Sequence, residues 1–234
     1  MLIDIIRNIF NGQQVNLGQV LPQILATLFI IFCILPLHEC AHAWAASKLG
    51  DNTARYQGRL TLNPLASFDP AGSLFLLLFG FGWAKPVPID SRNFKNPRRD
   101  VALSSLAGPL SNFLAAVVGA VIFWGVYAGS DRSVTQVLTF VLYFLQYYIF
   151  INVALAVFNL IPLPPLDGSK ILGAFLSPRA LYNYYRYQNI IVMVAFVVLF
   201  SGALSVPLNW LNSSCYNAVM WLGSLPFELF GLLS

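Results

Sequence analysis

His38-Glu39-Cys40-Ala41-His42 is the stretch of this sequence best equipped for chemistry. On a helix, positions i and i+4 share one face, so the two imidazoles can grip a single metal ion. Glu39 lies beside them, placed to take a proton from a water that the metal activates. The arrangement is the HExxH pattern of zinc-dependent hydrolysis. The chain has only these two histidines, and both read as ligands. Cys40 falls between them but points away from their face.

The pattern closes an apolar run from Ile24 to Leu37, long enough to enter a membrane. A charged group placed in such a run costs roughly 2.5–3.5 kcal/mol on insertion scales. Groups of this kind persist where they pair or line a functional cavity. Hydrophobic residues make up 58% of the chain and charged residues 9%, against about 25% charged in a soluble domain. The composition therefore indicates an all-α polytopic membrane protein, 1–234 forming a single domain in contact with the lipid bilayer. The net charge of +4 is no nucleic-acid footprint, because the basic residues gather in a few loops. Cys33, Cys40 and Cys215 have no paired spacing and are expected as free thiols. Met1 to Gln19 reads as an uncleaved amphipathic lead-in rather than a signal peptide.

About five transmembrane helices are expected, plus a re-entrant or interfacial hairpin around 73–90. The spans are Val20 to Leu49, Val101 to Tyr127, Val134 to Leu160, Ile190 to Val206 and Cys215 to Leu233, the last interrupted by Pro226 and Glu228. Pro36 is placed to kink the first span and turn the HExxH stretch inward. Ser73 to Trp83 is too short to cross as a helix, and Pro86 and Pro88 after it suit an extended edge. A surface loop with a membrane-dipping tip is the simpler alternative. Ala107-Gly108-Pro109 would let another helix approach closely, and Asn112 reads as interhelical glue. Pro162, Pro164 and Pro165 end the third span and present Asp167 at the membrane's edge, with Gly168 freeing the turn. Tyr182, Tyr184, Tyr185 and Tyr187 read as interfacial anchors.

Counting spans puts Lys48 through Arg99 and Lys170 through Arg186 on one side, with eleven of the thirteen Lys and Arg. Arg7 and Arg132 fall on the other. The positive-inside rule makes the richer side cytoplasmic. His38 and His42 end the first span at that side, and Asp167 ends the third there too. Two His and one carboxylate at one depth, with a position left for water, form a catalytic zinc set rather than a closed structural one.

With His38-Glu39-Cys40-Ala41-His42 near the start and Asn159 through Leu166-Asp167-Gly168 in a later span, the chain resembles the site-2 protease family of intramembrane zinc metalloproteases. It is most similar to the compact bacterial branch that lacks a PDZ domain. The resemblance runs from about residue 35 to 173 and includes Gly58-Arg59-Leu60-Thr61-Leu62-Asn63-Pro64 and Gly82-Trp83-Ala84-Lys85-Pro86-Val87-Pro88. It implies one zinc per chain on His38, His42 and Asp167, with Glu39 as general base. It also implies that Asn159 helps hold the substrate or its oxyanion, and that the 82–88 segment contacts the substrate strand. Ser67 stands where relatives often carry histidine. The expected activity is hydrolysis of peptide bonds in or near membrane spans, on single-span substrates, by an enzyme of the bacterial plasma membrane with its site toward the cytoplasm. A metal transporter and a non-catalytic metal-binding scaffold are the alternatives; neither gives Glu39 a task.

Overall fold

The computed structural model describes residues 3, 7, 10–12, 16–79, 82–130 and 135–232. The first helix, α1, runs from Leu17 to Leu49. Asn16 caps it, its side chain accepting from the Gly18 N–H at 2.9 Å. Pro36 has no N–H to offer the carbonyl one turn back, and its ring crowds that carbonyl. The helix answers with a π turn over Ile30–Ile34, where the Leu35 N–H reaches the Ile30 carbonyl. The expected kink is thus a change of helical phase just before the HExxH stretch.

Two one-turn helices follow, α2 (Thr53–Tyr56) and α3 (Pro64–Ser67). The short apolar helix α4 (Pro70–Phe79) comes next, and residues 84–90 return beyond it without helical turns. The expected hairpin is therefore a helix followed by a prolyl strap; residues 80 and 81 of it lie outside the described residues. After a 3₁₀ turn at Ser91–Asn93 comes α5 (Pro97–Ala128), then α6 (Gln136–Asn159). The chain ends through α7 (Asp167–Phe175), α8 (Pro178–Arg186), α9 (Gln188–Phe200) and α10 (Ser205–Leu229). The described residues contain no strand.

Among the described residues, three helices are long and apolar enough to cross a membrane: α1, α5 and α6. The other two expected spans are redrawn. The segment read as Ile190 to Val206 is the 13-residue α9, which at 1.5 Å per residue reaches only about 20 Å of a core about 30 Å thick. Gly202 then turns the chain with a positive φ of 77°, and α10 starts at Ser205 rather than Cys215. Pro226 does not break α10, and Glu228 accepts from Ser224 Oγ at 2.6 Å inside it.

α5 is the hub, packing on α1, α6, α7 and α10. Gly108, Asn112, Ala116 and Ala120 recur at every fourth position and are all buried. Small side chains along one stripe let helix backbones approach, which is how helices associate where lipid removes the hydrophobic driving force. The three cysteines are free.

Beyond the end of α1, Asp51 is fully buried and stitches two loops together. It accepts from the Thr53 N–H at 3.0 Å, from Asn93 Nδ2 at 2.8 Å and from the Asp90 N–H at 2.8 Å. Burial pushes its carboxyl up, and these hydrogen bonds outweigh burial and hold it below the ordinary 3.8. A lowered native pKa stabilises the fold above the ordinary value, and that stability fades as pH falls through the native value. In thermal unfolding, Asp51→Asn should cost about 1.5–3 kcal/mol at pH 7, the range for hydrogen bonds to a charged group. The gap from the parent protein should close below about pH 4; a gap independent of pH would remove the charge from the explanation.

Candidate metal centre

The two histidines sit on the last turns of α1, and both are buried. Their Nε2 atoms lie 3.0 Å apart. Asp167, the first residue of α7, brings Oδ2 to 3.0 Å from His42 Nε2 and 3.3 Å from His38 Nε2. The turn before α7 is held by the Leu166 N–H on the Leu163 carbonyl at 2.9 Å and by Ser169 Oγ on the Leu166 carbonyl at 2.6 Å. Any Cβ at Gly168 would overlap the Leu160 and Ile161 carbonyls, so glycine is what lets α7 start against the end of α6. Lys170 Nζ lies 3.4 Å from Asp167 Oδ1 and partly balances its charge.

The outer nitrogens of both rings are occupied. His42 Nδ1 lies 2.7 Å from the Ser104 carbonyl, which can only accept, so Nδ1 carries the proton there. His38 Nδ1 lies 2.9 Å from Asn112 Oδ1, and the same tautomer follows. In the neutral imidazoles both Nε2 lone pairs then face the Asp167 carboxylate. Three acceptors at such distances repel unless a cation joins them, and two imidazoles with a carboxylate are a zinc donor set. The three residues fit the metal.

α5 closes the centre from behind. A Cβ at Gly108 would overlap His42 Nε2 and crowd His38 Nε2 at 2.6 Å. Asn112 was expected as interhelical glue; it does join α5 to α1, but its partner is a histidine of the metal set. Its Nδ2 is buried and without a partner, which leaves Oδ1 as the working end of the amide. Ser104 stands out in no sequence pattern. Only its main-chain oxygen acts on His42, so its residue type carried no signal.

Glu39 is buried and outside the cluster, with Oε2 accepting from the Val87 N–H at 2.9 Å. Among the described residues no hydrogen bond brings Asn159 to the cluster: its Nδ2 turns back on its own helix, to the Leu155 carbonyl at 2.9 Å. Ser67 is buried and offers its carbonyl to the Lys85 N–H at 2.9 Å. Tyr184, expected as a membrane anchor, also ties α8 to the prolyl turn, its hydroxyl donating to the Pro162 carbonyl at 3.0 Å. A cleft of about 390 Å³ between Ser91, Arg98 and Tyr185 reaches Lys170 beside the cluster.

The apolar helices and the buried donor set define a membrane metalloprotein with a hydrolase-type centre. The chain belongs to peptidase family M50. That family's model matches residues 126–202, which include Asp167. YwhC of Bacillus subtilis, provisionally named a zinc metalloprotease, is 40% identical over 192 residues, 81% of this chain and 85% of its own. Rip2 of Mycolicibacterium smegmatis, named in the same provisional way, is 31% identical over 172 residues, 70% of this chain and 63% of its own. Zinc metalloprotease MJ0392 of Methanocaldococcus jannaschii is 27% identical over 188 residues, 77% of this chain and 44% of its own. No solved structure matches the chain.

Elemental analysis of the purified protein should find about one zinc per chain, sharply reduced in His38→Ala and in Asp167→Ala. Asn112→Ala should weaken zinc about 10–100-fold in chelator competition, the usual cost of losing a hydrogen bond to a ligating histidine. Full retention by Asp167→Ala would take that residue out of the centre.

Proposed function

We propose that the protein is a zinc-dependent intramembrane endopeptidase that cuts single-span membrane proteins in or near the span. The observation that carries this reading is the meeting of His38 Nε2, His42 Nε2 and Asp167 Oδ2 within 3.0–3.3 Å of one another, with Glu39 buried next to His38. His38 Nε2, His42 Nε2 and Asp167 hold the metal, and the Asn112 and Ser104 oxygens fix the two ring tautomers. Bound zinc supplies Lewis-acid polarisation of a carbonyl and a water made more acidic, toward a pKa of about 7. Glu39 takes the proton of the attacking water and passes it to the leaving amine, as a general base then acid. This gives Glu39 a task that metal transport or scaffolding would not.

A substrate helix hides its carbonyls in hydrogen bonds, so it must unwind before the centre can reach one. Unwinding is easier where glycine already weakens the helix, by about 1 kcal/mol relative to alanine. Single spans already trimmed of bulky outer domains, with a helix-weakening residue near the cut, are the substrates this favours. Glu39→Gln should keep zinc and lose turnover about 10²–10⁴-fold. In a reconstituted assay, a substrate with Gly at the cut should be cleaved faster than its all-Leu partner. Near-normal turnover by Glu39→Gln would defeat the enzyme assignment; equal cleavage of the pair would defeat unwinding as the basis of selection.

The distribution of Lys and Arg supports a multi-pass plasma-membrane protein with the centre at the cytoplasmic side. In a background without Cys33, Cys40 and Cys215, a cysteine at Ser130 should react with an impermeant reagent added outside, and one at Asn96 should not. The reverse pattern would invert the topology.

A further inference from the structure

The strap at 84–90 makes one contact that the metal set does not require. Glu39 is only 8% exposed, and a buried carboxylate needs donors. It has one: the Val87 N–H on Oε2 at 2.9 Å. Among the described residues its other oxygen accepts no hydrogen bond, so one oxygen is pinned and one is left for chemistry.

The strap is pinned on both sides of Val87. The Lys85 N–H donates to the Ser67 carbonyl at 2.9 Å, and Arg59 Nη2 donates to the Lys85 carbonyl at 2.6 Å. Arg59 holds this contact although its own Nε is buried without a partner. Beyond Val87, the Asp90 N–H is held by Asp51 Oδ2 at 2.8 Å. Pro86 and Pro88 add stiffness, because each fixes its own φ and drives the preceding residue into extended backbone. They also fix the register. A slip of one residue in either direction would set a proline, which has no N–H, against Glu39.

We propose that the Val87 backbone N–H is the positioning group for Glu39, and that Arg59, Ser67 and Asp51 hold the strap that delivers it. This rests on Glu39 being the general base. Val87 acts through Glu39 and touches no reacting atom. With Oε2 held, Oε1 is the oxygen that faces the attacking water, in one orientation rather than several. A base that must find its geometry at each turnover is slower, and a misplacement of about 1 Å can cost on the order of 100-fold.

Val87→Pro removes this single donor at a position that Pro88 already drives toward extended backbone. It should keep zinc content and leave KM within about twofold, while kcat falls at least about tenfold. The loss should exceed that of Val87→Ala, which keeps the N–H, by a similar factor. In the Glu39→Gln background, Val87→Pro should cause no further loss of residual activity. Arg59→Ala should lower kcat in the same direction, and less than additively with Val87→Pro. Where the proline variant fails to fold, an amide-to-ester replacement at residue 87 removes the same hydrogen and is judged by the same numbers. Unchanged or raised kcat in the folded variant would overturn the proposal, a rise making the contact a brake. A loss confined to KM would overturn it too, assigning the strap to substrate binding alone. If Glu39→Gln is itself active, the base assignment falls instead, and the two failures are told apart.

Discussion

Three lone pairs meeting in a buried place is the constraint that organises this molecule. His38 Nε2, His42 Nε2 and Asp167 Oδ2 lie within 3.0–3.3 Å of one another, an arrangement that only a cation makes favourable. To keep it, the fold must hold the protons on the far side of both rings. Both acceptors that do so, Asn112 Oδ1 and the Ser104 carbonyl, come from α5. The same helix must also come close enough to touch the rings, which is why position 108 carries no side chain beyond hydrogen. The stripe that continues as Ala116 and Ala120 draws α6 and α10 onto α5. One close-packed helix thus sets the metal geometry and holds the bundle together.

Asp167 reaches the centre by different means. It starts α7, where the backbone has just left α6 through a prolyl turn. The first turn of a helix favours an acidic residue, because its free N–H groups carry partial positive charge. A carboxylate is therefore well placed there before any metal arrives, and Lys170 one turn on adds a cation on the other oxygen. The turn itself is anchored from outside by Tyr184, so α8 holds the metal set indirectly through Pro162.

The parts of this site legible in the sequence are those fixed by local periodicity or by parity. His38 and His42 follow from 3.6 residues per turn. Asp167 follows from counting membrane crossings up to it, which needs only the first three spans. Those three are the long apolar helices of the structure, so the depth argument stands although the later spans were redrawn. That revision has a composition cause: Asn209, Asn212, Ser213, Ser214 and Asn217 place polar groups through α10, and hydropathy alone could not find its start. Asn112 was visible as a buried amide without its partner, since nothing local says that the residue opposite is His38. The strap was visible as extended because of its prolines. Its contact with Glu39 spans 48 positions and could not be read from spacing.

The site is thereby held in two mechanically distinct ways. The metal donors sit on helices whose neighbours are buried, including Ala43, Ala46, Ala115 and Ala116, so moving them means opening the bundle. The strap carries Lys85 and Pro86 at the surface, and hydrogen bonds attach it to Ser67, Arg59, Glu39 and Asp51. Each such bond is worth only about 0.5–1.5 kcal/mol net, somewhat more with a charged partner. With Pro86 and Pro88 lacking N–H groups and the Lys85 and Val87 N–H groups already used, the strap offers an incoming strand acceptors at these positions rather than donors. On the proposed function, an unwound substrate would be held there by its own N–H groups, and its carbonyls, one of which must be attacked, would remain unclaimed.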